Sequence, residues 1–133
     1  MEHMQIPVRD MDRAISWYTE HLGFQLSNRD GNRIAFLTLP EGPLQMLWQT
    51  LDASTYAHFT MNGTDFPVLL YRTNRIHQLH ERLTKLNPPI QLYEDGGFAW
   101  VLKFYDPEGN LGGVLQFNHS SDTDNIKPPE IRR

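Results

Sequence analysis

Few side chains of this sequence have types and spacings suited to chemistry, and none of them is a cysteine. Disulfides, thiolate zinc sites and a cysteine nucleophile are therefore excluded. His77 and His80 stand three residues apart on a predicted helix, which is weak evidence for a metal site and fits a solvated helix face. Glu94 and Asp95 precede Gly96-Gly97, which indicates a turn first and a carboxylate pair at a pocket rim second. The sequence contains no glycine-rich phosphate loop, serine elbow or kinase signature.

Composition narrows the class of protein further. The chain has 133 residues, with 12 Lys and Arg against 16 Asp and Glu, and this acidic balance argues against a broad nucleic-acid surface. No apolar run reaches the roughly 18–20 residues of a membrane span. We therefore expect one cytoplasmic domain over residues 1–118, followed by a polar tail over 119–133, with no nucleic-acid or membrane partner.

The elements that would position reactive side chains begin with a strand and a helix. Apolar residues alternate over 4–8, which predicts a strand with one buried face. His3 and Gln5 fall on its other face. After Asp10, a predicted N-cap, the apolar spacing becomes helical, and the helix is expected to end before a left-handed C-cap at Gly23.

Turn signals divide the rest of the first half into strands. Asp30-Gly31-Asn32 predicts a turn that leads into a strand over 34–39. A second turn over 40–43 leads into a strand over 44–49. Residues 51–65 show no sustained periodicity, so we expect them to form a connector.

The same order of elements then restarts. The predicted elements are a strand over 68–72, a helix capped by Asn74 and ended by Asn87-Pro88-Pro89, a turn at 95–97, a strand over 98–105, a turn over 106–110 and a strand over 111–117. The two halves agree at an offset of about 65 residues. This duplication predicts two modules, over about 3–50 and 66–118, that jointly enclose one site.

Two motifs resemble those of the vicinal oxygen chelate superfamily, which includes glyoxalase I, extradiol dioxygenases, fosfomycin-resistance enzymes and bleomycin-binding proteins. The first motif is Val8–Tyr18 followed by Leu22-Gly23-Phe24, and the second is Asp106-Pro107-Glu108-Gly109-Asn110. The resemblance covers about residues 3–118. It implies an α+β fold of two βαβββ modules, whose mixed β-sheet forms a cupped groove with the helices on its outer face, often completed by a homodimer.

The resemblance also implies a divalent metal, bound by the first and last strands of each module. His3, seven residues before Asp10, occupies the first ligand position. The matching position of the second module is Val68, and the last-strand glutamate position is Gly113. The closing strand of the first module offers no carboxylate, since its candidates are Gln45, Met46 and Leu47. One imidazole cannot hold a divalent ion, so we predict an incomplete metal site with His3 as its only family ligand.

Strand alternation predicts which side chains face the groove. In the closing strand of the first module, polar alternation favours Gln45 and Gln49, whereas the internal repeat favours Met46 and Trp48; we prefer the repeat. In the second module we expect Phe98, Trp100, Leu102 and Phe104 to be buried under the helices, with Ala99, Val101, Lys103 and Tyr105 facing the groove. The predicted ligand-binding residues are His3, Gln5, Phe36, Trp48, Lys103, Tyr105 and Gly113.

Three functions remain open from the sequence. The first is a small-molecule-binding, glyoxalase/bleomycin-resistance-like protein without the usual metal centre, either a sequestering protein or a metal-free enzyme. The second is a metal-dependent lyase or dioxygenase whose atypical ligand set includes His3 and borrows His58, Glu94 or Asp95. Lactoylglutathione lyase activity is disfavoured, because Gly113 replaces the glutamate that would move the proton. The third is a dimeric interaction module without a ligand.

Overall fold

The computed structural model describes residues 3–40, 42–52, 54–86 and 90–118. The predicted tail over 119–133 lies outside them. The chain divides into two compact units, the first comprising Met1–Leu69 with Tyr105–Gly112 and the second comprising Leu70–Phe104 with Gly113–Arg133. The chain therefore returns to the first unit for eight residues, 105–112, after most of the second unit has been traced. No described helix is long and apolar enough to cross a membrane.

The first unit contains one mixed sheet, one helix and a separate hairpin. Its elements are β1 (His3–Val8), α1 (Met11–His21), β2 (Gln25–Asp30), β3 (Ile34–Thr38), β4 (Leu44–Gln49), β5 (His58–Met61) and β6 (Thr64–Pro67). The sheet has the strand order β1-β4-β3-β2. β1 and β4 are parallel, and the other neighbours are antiparallel. One face of this sheet and the apolar side of α1 form the core.

Helix α1 begins and ends where the residue types predict. The Asp10 side chain accepts a hydrogen bond from the Arg13 backbone N–H at 3.1 Å, as an N-cap does. The Met11 N–H donates to Gln49 Oε1 on β4, also at 3.1 Å. Gly23, with φ of 78°, follows the C-cap Leu22 in the left-handed region.

The prediction of a connector over 51–65 was wrong for its second part. Residues 58–67 form the β5–β6 hairpin, joined by Asn62-Gly63. Both turn residues have positive φ, 53° and 81°, as a two-residue hairpin loop requires. The Asn-Gly pair was the available signal, and the lack of a buried apolar face concealed it: Phe59 and Met61 are about half exposed.

The second unit repeats the plan of the first. Its elements are β7 (Leu70–Arg72), α2 (Ile76–Lys85), β8 (Ile90–Asp95), β9 (Ala99–Tyr105) and β10 (Leu111–Phe117), of which Tyr105 and Leu111–Gly112 group with the first unit. The order β7-β10-β9-β8 matches that of the first sheet, and β7 is parallel to β10. The predicted α+β fold of two βαβββ modules is confirmed, with each sheet mixed and open.

Helix α2 starts differently from the prediction. Arg75, not Asn74, is the N-cap residue, and it makes no side-chain capping bond. The Ile76 N–H instead donates to Gln116 Oε1 on β10 at 2.8 Å. Thr73 Oγ1 accepts from the Arg75 N–H at 3.0 Å, which fixes the turn before the helix. The helix ends at Lys85, and the proline stop predicted at 87–89 lies outside the described residues.

Two strands of the second unit are shorter than expected. β7 begins at Leu70, and Val68 is 61% exposed outside it. β9 begins at Ala99, so Phe98 lies in the preceding turn and is 58% exposed rather than buried. Leu102 and Phe104 are buried as predicted. Trp100 is only half-buried, and Ala99, predicted to face the groove, is fully buried.

Candidate functional site

The strand registers of the first sheet place side chains in rows across the face opposite α1, here called the open face. In the central row, Gln5 of β1 pairs with Met46 of β4, Met46 with Phe36 of β3, and Phe36 with Asn28 of β2. Directly paired residues point to the same side of a sheet. This row therefore has apolar side chains in its centre and an amide at each end.

Two further rows extend the open face in both directions along the strands. One row runs from Pro7 through Trp48 and Ile34 to Asp30, and the other begins with His3 and Leu44. The centre of the open face is thus a continuous apolar patch, here called the platform. The platform consists of Ile34, Phe36, Leu44, Met46 and Trp48.

Burial separates the open face from the core face. Ile6, Val8, Leu37 and Leu47 point the other way and are at most 2% exposed. Four of the five platform residues are only half-buried, and His3 and Gln5 are exposed.

The closing strand of the first module has its candidate residues on different faces of the sheet. Gln45 lies on the core face, fully buried, and Gln49 bonds the first turn of α1. Met46 and Trp48 lie on the open face, as the internal repeat indicated.

Trp48 is held by polar neighbours on the open face. Its Nε1–H donates to Gln5 Oε1 at 2.8 Å. The Arg33 guanidinium lies 5.9 Å from the centroid of the indole ring, and Arg33 in turn pairs with Asp30 at 2.6 Å. These contacts favour the observed orientation of the indole, the largest platform side chain.

The described residues do not fit the metal that the fold family implies. His3 has Leu44 as its strand partner, which offers no ligand atom. His58 accepts the Leu111 N–H at its Nδ1, and Asp95 accepts from Gly97 N–H and Asn118 Nδ2. Among the residues that the structure describes, no three His, Asp or Glu side chains are grouped so that they could hold an ion. A catalytic metal normally needs three protein ligands, and the described residues do not bring three together.

Tyr105, predicted to face the ligand, has its hydroxyl bonded within the first unit. It donates to Asp65 Oδ2 at 2.6 Å, and Thr60 Oγ1 donates to Asp65 Oδ1 at 2.7 Å. The Tyr105 hydrogen bond, followed by that of Thr60, lowers the pKa of Asp65. Tyr105 therefore anchors the β5–β6 hairpin through the carboxylate of Asp65.

The remaining predicted site residues belong to the second unit. Lys103 pairs with Leu92 of β8, and Gly113 pairs with Leu70 of β7. Of the seven predicted ligand-binding residues, the structure thus places four together on one face of the first sheet: His3, Gln5, Phe36 and Trp48.

The Asp106–Asn110 motif forms a buried polar cluster in the first unit, which sequence reasoning missed. Tyr18 donates its hydroxyl hydrogen to Asp106 Oδ2 at 2.6 Å. Burial raises the pKa of Asp106, although the hydrogen bonds that it accepts act in the opposite direction. Asn110 Nδ2 donates to the Pro7 carbonyl at 2.9 Å.

Glu108 is the charged member of this cluster. Its fully buried carboxylate accepts from the Arg9 backbone N–H at 2.6 Å and from Arg13 at 2.8 Å. These partners are 99 and 95 residues away in sequence, so no local pattern could have paired them. The motif that carries the family resemblance therefore secures the fold of the first unit, and its side chains are committed to structural bonds.

Comparisons with known proteins agree with this architecture. The model of the Glyoxalase/Bleomycin resistance protein/Dioxygenase superfamily matches residues 1–112. A comparison with curated proteins found no match. Among solved structures, the chain is similar to TnmS3, an antibiotic binding protein from Streptomyces sp. CB03234, with 20% identity, a TM-score of 0.69, and coverage of 89% of this chain and 95% of that one.

A second similar structure is lactoylglutathione lyase from Agrobacterium tumefaciens, with 13% identity, a TM-score of 0.67, and coverage of 87% of this chain and 92% of that one. A glyoxalase/dioxygenase from Nostoc punctiforme has 15% identity, a TM-score of 0.68, and coverage of 87% and 89%. At these identities the structural likeness concerns the fold alone, and membership follows from the family model. The chain belongs to the glyoxalase/bleomycin resistance protein/dioxygenase superfamily.

Proposed function

We propose that this chain binds a small, largely apolar molecule with a planar ring system on the open face of its first sheet. The observation that carries the proposal is the platform, five apolar side chains on two adjacent strands with a positioned tryptophan among them. Small-molecule sites combine such an apolar surface with a few polar groups that fix orientation.

The dimensions of the platform favour fused rings. Neighbouring strands lie about 4.8 Å apart, and alternate residues along a strand lie about 6.7 Å apart. From Leu44 to Trp48 the platform is therefore about 13 Å long, which matches a ligand of two or three fused rings. The polar ends of the rows would then contact substituents at the ring edge.

Two further observations support binding rather than metal-assisted chemistry. The described donor groups do not fit a catalytic ion. One protein of the same fold, TnmS3, is described as an antibiotic binding protein, and an antibiotic with a planar ring system falls within the ligand class proposed here. The ligand would be sequestered on the platform.

The test uses fluorene-2-carboxylate, a planar tricyclic probe, with the full chain. We expect saturable binding by isothermal titration calorimetry and NMR shift changes that centre on β3 and β4. Trp48→Ala should weaken binding about 10-fold or more, since loss of a stacking aromatic costs about 1.5 kcal/mol. Trp17→Ala, in α1, is the matched control and should leave the affinity unchanged.

Other outcomes would point to the alternatives. Absence of binding by naphthalene-, fluorene- and pyrene-carboxylates would contradict the proposal. One divalent ion per chain in protein purified without chelator would favour a lyase or dioxygenase with His3 in its ligand set. A homodimer is also part of the proposal. Sedimentation analysis tests it, and a dimer that dissociates in Trp48→Ala without any ligand binding would favour an interaction module.

A further inference from the structure

We infer that Gln5 is a specificity-determining residue, which selects ligands carrying a hydrogen-bond acceptor, such as a ring carbonyl, at the β1 edge of the platform. This inference rests on the proposed function and adds the chemical class of the ligand to it. It follows from the orientation of one side-chain amide.

The orientation of the Gln5 amide is fixed by the chemistry of its neighbour. An indole N–H can only donate a hydrogen bond, so the amide atom 2.8 Å from Trp48 Nε1 must be the oxygen Oε1. The nitrogen Nε2 therefore lies on the other side of the amide group. The usual ambiguity between the two amide atoms does not arise at this residue.

The Gln5 Nε2 group is available to a ligand. Gln5 is exposed, and within the described part of the chain its Nε2 donates to no protein acceptor. Its strand partner Met46 is the central platform residue. The neighbouring residues on the same face of β1 are His3 at one end and Pro7, which has no backbone donor, at the other.

A ring lying on Met46 and Phe36 would present its edge to the two N–H groups of Gln5 Nε2. A carbonyl at that edge would complete a neutral hydrogen bond, whereas a methylene would leave the amide against an apolar group, and a ligand N–H would place donors face to face. Gln5 therefore discriminates between planar ligands of the same shape by the polarity of one edge.

The test compares two probes that differ at one atom group. Fluorenone-2-carboxylate has a ring carbonyl where fluorene-2-carboxylate has a methylene, and the rings and the carboxylate are the same. With the full wild-type chain, calorimetry should show about fivefold tighter binding of the ketone, the effect of one net hydrogen bond.

The decisive variant is Gln5→Glu, because a carboxylate still accepts the Trp48 N–H but has no donor. Its preference for the ketone should fall to one or below, because the new carboxylate cannot donate to the ring carbonyl and repels its oxygen. Repulsion of the carboxylate that both probes share is the same for the two. Gln5→Leu, which loses both bonds, should also show no preference. The NMR signal of the Trp48 Nε1–H should stay near its wild-type position in Gln5→Glu, which would show that this variant is folded and keeps the indole in place. The signal should move in Gln5→Leu, because that variant lacks the acceptor of the indole N–H.

The outcomes distinguish this inference from the proposed function. Equal, measurable affinity of the wild type for both probes would overturn the assignment of Gln5 and leave the platform as a binding site. A fivefold preference that persists in Gln5→Glu would also overturn the assignment. Binding of neither probe would overturn both the proposed function and this inference.

Discussion

The two helices in the described part of the chain have the same kind of hydrogen-bond partner at their first residue and different residues at their N-cap. The first N–H of α1, at Met11, donates to Gln49 of β4, and the first N–H of α2, at Ile76, donates to Gln116 of β10. In each module the closing strand thus supplies a glutamine side-chain oxygen to the first N–H of the helix of that module. The duplication is preserved in this contact between strand and helix.

The residues before the helices differ in charge. Asp10 caps α1, and Asp12 adds a second acidic side chain in its first turn. α2 follows Arg75, has no side-chain cap and has no acidic residue in its first turn. A positive residue at this end opposes the helix dipole. The start of α2 therefore depends on Gln116 and on the burial of its apolar residues, whereas α1 has an electrostatic contribution as well.

The two units also differ in their interiors. The buried polar or charged residues of the described chain are Gln45, Asp106, Glu108 and Asn110, and all of them belong to the first unit. The described core of the second unit is apolar. The comparison indicates that one sheet-and-helix plan tolerates two kinds of interior. In the first unit, Asp106, Glu108 and Asn110 are each hydrogen-bonded to residues far away in sequence.

The largest expected effect is at Glu108. Glu108→Ala removes the acceptor of the Arg9 N–H and of Arg13, and we expect a loss of about 2–3 kcal/mol in the free energy of unfolding. The expected loss of stability is smaller than that for a fully buried ion pair, because the Arg13 side chain is half exposed. Chemical denaturation provides the measurement. Glu94→Ala, at an exposed site of the second unit, is the control and should have little effect.

The matched glutamines should differ in their effects. Gln116→Ala leaves α2 without a side-chain partner at its start, so we expect a loss of about 2 kcal/mol. Gln49→Ala should cost about 1 kcal/mol, since Asp10 still caps α1. Hydrogen exchange of the Ile76 and Met11 amides, together with denaturation, tests this order. Equal losses would mean that the acidic cap does not compensate.

Introducing an acidic N-cap at the start of α2 tests whether the difference in capping between the two helices affects stability. Arg75→Asp supplies a side-chain acceptor and reverses the unfavourable charge at the helix start, so we expect a gain of about 0.5 kcal/mol. Thermal and chemical denaturation measure it, and the gain should diminish at high salt. A destabilised variant would show that the backbone at residue 75 cannot adopt a capping conformation.

The finest difference concerns two aspartates at turns. Burial raises the pKa of Asp106 above 3.8, so its contribution to stability is full below pH 3.8 and is lost as the pH rises through the raised pKa. The Asn118 amide and the Gly97 N–H lower the pKa of Asp95, whose contribution is present above pH 3.8 and is lost as the pH falls through the lowered pKa. Carboxyl carbon NMR titration should place the two midpoints on opposite sides of 3.8. Two midpoints below 3.8 would contradict the burial effect at Asp106.

Periodicity predicted the modules because each has one buried face. The alternation in β1 and the helical spacing in α1 reflect burial directly, and the repeat identified the open-face position of Trp48. The β5–β6 hairpin escaped prediction because its apolar residues are exposed, so burial leaves no pattern.

The specific contacts of the site could not be predicted for a different reason. The Trp48–Gln5 bond joins residues 43 positions apart and depends on side-chain rotamers. The partners of Asp106 and Glu108 are still farther away in sequence, at 88 and 99 residues. Sequence alternation assigns a residue to a face, but only the register of the strands determines which side chains become neighbours.

The return of residues 105–112 to the first unit has a consequence for synthesis on the ribosome. A nascent chain of residues 1–69 contains β1, α1 and the strands that follow, but it lacks Asp106 and Glu108, the acceptors for Tyr18 and for Arg9. N-terminal regions usually fold first during translation. Here the first unit can complete its interior only after β7, α2, β8 and β9 have been synthesised, so a region that is synthesised before the second unit reaches its final stability only after most of that unit has been made.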